Sequence, residues 1–253
     1  MTSKLLRWLN RRLNGVVGYR DEMGTHGTYD FSHGRHAADR IALVNHLVSL
    51  YDYDDYLEIG VRRKADMHDR IIARNRISVD PAEDAEADFN MTSDAFFSQN
   101  RKVFDIVFID GLHTGEQVYR DIENSLAALK PGGCILLHDL NPPTAQHARE
   151  IYELDGAYPA WNGTSWQGYA RFRKEEPNLE MYVVDVDWGV GFVRRGRQKC
   201  YPGAIGSYDD LERDRSEILN LVSVRDFLQR HPSQRLDWSP FDPLKRRFAR
   251  YST

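Results

Sequence analysis

Residues 104–138, FDIVFIDGLHTGEQVYRDIENSLAALKPGGCILLH, constrain the fold more than any other stretch. Two short runs, FDIVFI (104–109) and CILLH (134–138), are apolar almost without a break, as strands buried on both faces are. Between them, Val118, Ile122, Leu126 and Leu129 recur at helical spacing over 114–130. Thr114 and Gln117 have the spacing of a capping box, and Pro131, Gly132 and Gly133 are expected to stop the helix. A crossover helix of this length returns the chain to the same sheet with the two strands parallel.

The same alternation runs through the first half of the chain. Residues 56–61 (YLEIGV) and 77–79 read as strands, and Ala37, Ile41, Val44 and Val48 mark one helix face with Leu43, Leu47 and Leu50 beside it. Repeated units of this kind predict an α/β fold with a doubly wound, mostly parallel sheet. After Leu140 the pattern loosens. Pro142 and Pro143 lead a turn and then a helix towards residue 153, and another helix begins near Thr164. Strands follow at 181–184 and 191–194, with Asp185, Asp187 and Trp188 in the turn between them. Residues 208–229 read as a helix broken near Val222, and the tail with Pro240 and Pro243 as irregular. No repeat or linker interrupts the chain. The expectation is one domain over 1–253: an N-terminal helix and loop (1–36), an α/β core (37–200) and a C-terminal helical extension (201–253).

Charge narrows the class. The chain carries a net charge of −4, yet 9 of its 34 basic residues lie in 1–20 and 244–253, where there are no acids. The body, 21–243, has 25 basic against 38 acidic residues, which argues against a nucleic-acid partner. Leu5, Leu6, Leu9, Leu13 and Val16 share a face in 4–17 with basic residues between them. That segment reads as a helix docked on the body or on a second subunit of a homodimer, with peripheral membrane contact as the other reading. The longest apolar stretch, 41–50, is broken by Asn45 and His46 and falls short of the ~20 residues of a membrane span. No signal peptide is expected at the N-terminus. Cys134 and Cys200 form neither a disulfide framework nor a zinc pattern, which fits a reducing cytoplasm.

In a doubly wound sheet, ligands bind beyond the C-terminal ends of the strands. Those ends here read Glu58-Ile59-Gly60-Val61, Asp80-Pro81, Asp110-Gly111-Leu112-His113 and His138-Asp139. A lone acid at a strand end is commonly a helix cap; four ends carrying acids or histidines point to a site. A carboxylate at Asp80 can take both hydroxyls of a ribose. Gly60 allows the backbone to approach a ligand. The following VRRKADMH lacks the glycines that cradle a dinucleotide pyrophosphate. A nucleoside with a short cationic arm suits this site better than NAD.

YLEIGV, SVDP, MTSDAFF and FDIVFIDGLHTGEQVYRDIENSLAALKPGGCILLHD together resemble class I S-adenosylmethionine-dependent methyltransferases, and within them the small bacterial branch of metal-dependent sugar O-methyltransferases. The resemblance spans about residues 55–145 and implies a Rossmann-like sheet. It places Glu58 and Gly60 by the methionine part of the cofactor, Asp80 on the ribose, and Thr92, Ser93 and Asp94 near the adenine. Asp110 would touch both cofactor and metal. Asp139 and His138 would complete a Mg²⁺ site, and His113 of the DGxH motif would be the general base. Loop 62–66 departs from the family, which usually has another glycine there. On the acceptor side, His26, Tyr29, His33 and His36 form one candidate lid; Trp161, Asn162 and Trp166 are the other candidates, since rings cover the apolar faces of sugars while amides bind hydroxyls. The implied activity is Mg²⁺-dependent O-methylation of a small-molecule sugar or glycan precursor. A non-sugar natural product, a carboxylate, or a non-catalytic cofactor- or glycan-binding module are the alternatives.

Overall fold

A computed structural model describes residues 38–152 and 160–232. The helix expected over 4–17, the loop with His26, Tyr29, His33 and His36, and the tail with Pro240 and Pro243 lie outside the described residues.

Helix α1 (Arg40–Tyr51) precedes β1 (Asp55–Ile59), two short 3₁₀ turns and β2 (Asn75–Val79). Then come α2 (Ser93–Gln99), β3 (Phe104–Ile109), α3 (Gly115–Ala127) and β4 (Leu129–Leu137). The remainder is α4 (Ser165–Glu175), β5 (Leu179–Val184), β6 (Val190–Arg195), α5 (Tyr208–Leu219), β7 (Leu221–Val222) and α6 (Val224–Arg230). One sheet results, in the order β2-β1-β3-β4-β6-β5-β7. Every pairing is parallel except those of β6, which runs antiparallel to β4 and β5.

The near-continuous apolar strands serve two cores. Leu57, Ile59, Val107, Ile109, Ile135 and Leu137 alternate onto one face and pack with α3, α4 and α5. Tyr56, Ile106, Phe108, Cys134 and Leu136 fill the other face with α1 and α6. This period of two, with both faces covered, is why the strands read as unbroken apolar runs.

The structure departs from the sequence reading in four places. Thr114 makes no side-chain cap bond among the described residues. Gln117 turns away instead and donates to Ser93 Oγ (3.1 Å) and Asp121 Oδ1 (3.0 Å). Helix α3 stops at Ala127, before the Pro-Gly-Gly run, because Leu129 pairs with Phe104 and draws 129–133 into the sheet. No helix forms in the described part of 141–153. Pro142 and Pro143 lack amide protons, and Arg215 Nη1 holds the extended backbone through Pro142 O (2.8 Å) and Asn141 Oδ1 (2.7 Å). The C-terminal extension is not purely helical: the break near Val222 is strand β7, paired with β5.

From β1 the chain goes first to β2 on one side and then to β3 on the other, so the ends of β1 and β3 flank the switch point of the sheet. Gly60 sits there at φ +87°, and a β-carbon would stand 2.1 Å from Asp110 O. Only glycine permits that approach.

Candidate active site

Beyond these strand ends lies a cleft of about 400 Å³. The end of β3 delivers Asp110 to it, and the turn that follows brings His113 back, with Nε2 3.2 Å from Asp110 Oδ1. The end of β4 delivers His138 and Asp139, the latter with a left-handed φ of +61°. His113 Nδ1 lies 3.4 Å from Asp139 Oδ2. His138 Nδ1 lies 3.4 Å from Asp110 Oδ1 and 3.3 Å from Asp139 Oδ2. Two carboxylates therefore share two imidazoles.

The electrostatics follow from that packing. Burial alone would raise the Asp110 carboxyl, but His138 and His113 outweigh it and hold the group well below the usual range. Burial pushes both imidazoles down, yet the carboxylates overcome it: His113 is raised, and His138 is raised well above the ordinary histidine value. Behind His138, Arg40 Nη1 lies 3.4 Å from His138 Nε2 and donates to Asp187 Oδ2 at 3.1 Å. Asp187 also accepts from the Arg40 backbone N–H at 3.0 Å. Asp187 and Trp188, both left-handed at φ +49° and +65°, make the turn from β5 to β6. That turn brings Asp187 to Arg40 and Trp188 to the cleft wall.

Residues 161–164 grip His113 from the other side. Its ring stacks on Trp161 with centroids 5.1 Å apart and planes inclined by 24°. Its Nδ1 is 3.3 Å from Trp161 O, and Trp161 Nε1 donates to Arg149 O at 2.7 Å. Thr164 N–H donates to His113 O at 2.8 Å. Gly163, at φ +64°, comes so close that a β-carbon would lie 2.0 Å from His113 O. Asn162 Nδ2 donates to Asp139 Oδ1 at 2.7 Å, and its own Oδ1 is buried without a partner among the described residues.

Asp110, His113 and Asp139 each offer a ligand atom, and these atoms lie within 4.8 Å of one another. With an orphaned amide oxygen on the same wall, the set fits a divalent cation. The two carboxylates suit Mg²⁺, and an imidazole in the shell would favour a softer ion such as Mn²⁺. His113 belongs to this set, and His138, expected in the metal site from the sequence, also brings Nδ1 within 3.4 Å of both carboxylates.

The other expected residues fall in different places. Glu58 is buried away from the cleft, accepting from Tyr56 OH (2.7 Å) and facing His68 Nδ1 (3.1 Å). Asp80 anchors a loop: Oδ2 accepts from Arg62 N–H (3.0 Å) and Oδ1 from Ala82 N–H (2.9 Å). Each oxygen keeps acceptor capacity for a ribose. Thr92 caps α2, Ser93 is buried beside Gln117, and Asp94 pairs with Arg120. These three lie together but do not line the cleft. Trp166 is corrected outright. It is 1% exposed, because the helical period of α4 turns it inward with Tyr169 and Ala170, so it cannot bind an acceptor. Trp161 and Asn162 do line the cleft.

Sequence reasoning missed Arg40, Asp187, Trp188 and Gly163. Arg40 opens an ordinary amphipathic helix, and Asp187 and Trp188 read as turn residues. Gly163, within Trp-Asn-Gly-Thr, carried a usable signal of close backbone approach.

A doubly wound, mostly parallel sheet with one reversed strand, and an acid- and histidine-lined cleft at its switch point, are the architecture of a Rossmann-like fold. Residues 25–140 match the family model described as a methyltransferase domain. Similar solved structures include a Staphylococcus aureus protein assigned as a caffeoyl-CoA O-methyltransferase, 15% identical over 77% of this chain and 99% of that one, with a TM-score of 0.46. The O-methyltransferase of Bacillus cereus in complex with SAH is 14% identical over 76% of this chain and 98% of that one, with a TM-score of 0.41. The SAH-bound methyltransferase of Podospora anserina is 13% identical over 76% and 87%, with a TM-score of 0.45. At such identities nothing about the acceptor carries over. No curated protein matches the chain. No helix among the described residues is long and apolar enough to cross a membrane.

Proposed function

We propose that the chain is an O-methyltransferase that methylates a hydroxyl of a sugar or glycan precursor, with a divalent cation at Asp110 and Asp139, His138 behind them, and His113 as general base. The observation that carries this reading is the packing of two imidazoles against two carboxylates on the cleft at the switch point. S-adenosylmethionine would supply a methyl carbon on a sulfonium, and a bound cation would lower the pKa of a neighbouring hydroxyl.

The chain's own residues supply the rest. Gly60 and Asp110 would hold the methionine end of the cofactor and Asp80 its ribose, with Thr92, Ser93 and Asp94, outside the cleft lining, towards its adenine. His113 is 17% exposed and His138 only 6%, so His113 is the imidazole nearer an acceptor. With a cation taking up the charge of Asp110 and Asp139, the imidazole would be neutral and could take the hydroxyl proton on a ring nitrogen. Stacking on Trp161 fixes the ring plane. Trp161 and Tyr152, with rings 5.3 Å apart, offer a surface for the apolar face of a sugar, while the buried Asn162 amide holds Asp139 beneath it. A second reading, a phenol or another apolar natural product, draws on Leu112 and Ile151, which are 57% and 75% exposed. The acidic body favours a small molecule over nucleic acid, and the free thiols of Cys134 and Cys200 suit a reducing cytoplasm.

The test is the release of S-adenosylhomocysteine in the presence of nucleotide sugars or of phenols, with and without EDTA. Turnover on sugars that stops in EDTA and returns with Mg²⁺ or Mn²⁺ is expected. Full turnover in EDTA would remove the cation, and turnover on phenols alone would select the second reading.

A further inference from the structure

We propose that Arg40 holds the carboxylate of the cofactor's methionine end through the side-on edge of its guanidinium; this rests on the cofactor reading above. A carboxylate at the end of β1 needs positive charge or free amides. The loop after Gly60 has already committed two of its amides, Arg62 N–H to Asp80 Oδ2 (3.0 Å) and Lys64 N–H to Glu86 Oε2 (2.9 Å). Arg62 itself is exposed and paired with Asp84 at 2.9 Å. Arg40 lines the same cleft as Gly60 and Asp110. Its side-chain contacts among the described residues, to Asp187 and His138, all run through Nη1. Among the described residues Nε is buried without a partner, and the side chain's hydrogen bonds leave Nη2 unused. Nε and Nη2 form the edge that grips a carboxylate with two parallel hydrogen bonds. Buried donors are rarely left orphaned, so a guanidinium with this edge unused awaits an acceptor. The cofactor brings one carboxylate at every turnover, whereas a neutral sugar brings none. Asp187 holds the opposite side of the group and fixes where the open edge stands.

Calorimetry with S-adenosylhomocysteine and with its decarboxylated analogue tests this. The wild-type chain should prefer S-adenosylhomocysteine by about ten- to hundredfold, the usual worth of charge-assisted hydrogen bonds. Arg40→Met should bring S-adenosylhomocysteine down to the affinity of the analogue and leave the analogue unchanged. An equal loss for both compounds would make Arg40 structural, and an unchanged preference would turn it towards the acceptor; either result overturns the proposal. If thermal melting shows Arg40→Met unfolded, Arg40→Lys decides. It keeps the charge but not the fork, so the preference should fall several-fold with the analogue unaffected, and an undiminished preference overturns the proposal. A wild-type chain that binds neither compound would sink the cofactor reading itself, an outcome distinct from equal binding of both, which sinks only the assignment of Arg40.

Discussion

Replacing Gly60 by alanine imposes two costs at once, and Gly132 separates them. Both glycines have left-handed φ, +87° and +82°. Placing a β-carbon in that region costs about 1–2 kcal/mol. At Gly132 the added carbon meets nothing within 4 Å. At Gly60 it would stand 2.1 Å from Asp110 O, 2.4 Å from the Asp110 carbonyl carbon and 2.6 Å from Gly111 Cα, all of them backbone. No side chain can swing aside, so the β1 loop and the β3 end must part. Overpacking of that kind adds roughly 1–3 kcal/mol. Equilibrium urea unfolding should therefore show a loss of about 2–5 kcal/mol for Gly60→Ala against about 1–2 kcal/mol for Gly132→Ala. Because the displacement falls on Asp110, Gly60→Ala should also weaken divalent-cation binding in calorimetry, and Gly132→Ala should not. Equal stability losses for the two variants would refute the reasoning.

His113→Ala should lower kcat by ~10²–10⁴-fold while leaving affinity for S-adenosylhomocysteine intact; loss of cation binding in the same variant would make His113 a ligand instead. Gly163→Ala should lower turnover without touching the cofactor, since the added carbon presses on His113 O and Cβ at 2.0 and 2.7 Å; wild-type turnover would show that His113 does not depend on this grip. Asp121 is buried, and burial lifts its pKa to about 6 from an unfolded 3.8. Its folded value is the raised one, so its contribution to stability is full below the unfolded pKa and is lost as pH rises through about 6. A shift of that size corresponds to about 3 kcal/mol. Asp121→Asn should then gain stability relative to wild type as pH rises from about 4 to about 6.5 and level off above that, and a difference that stays flat across that range in paired urea titrations would contradict the assignment.

The sheet was legible because its strands are short, apolar and separated by a helix with a clear buried face. The break near Val222 showed in the pattern as well, although nothing in Leu221–Val222 announced that two residues would pair with β5. The helix expected after Asn141 gives way to a single turn at 145–148, and Arg215, some seventy residues away, takes up the Pro142 carbonyl that would otherwise start it. Asp110, His113 and Asp139 could be found because strand ends are fixed points in this architecture. Arg40 and Asp187 could not, since their meeting depends on two consecutive left-handed residues in a turn, which no period encodes. Trp166 differs from Trp161 because it lies inside helix α4, whose period turns it into the core with Tyr169 and Ala170, whereas Trp161 lies in the loop before that helix.

The grip of 161–164 on His113 has a consequence for how this protein could change. A loop that selects acceptors is ordinarily free to be exchanged while the chemistry stays put. Here the loop proposed to meet the acceptor supplies the stacking ring, the carbonyl opposite Nδ1 and the amide that holds the His113 carbonyl. Grafting a relative's loop to obtain a new acceptor would re-aim the imidazole as well. Divergence in what is methylated is thereby coupled to the rate at which it is methylated, and laboratory selection for new acceptors should recover second-site changes around Gly163 and Thr164 that restore the old posture of His113.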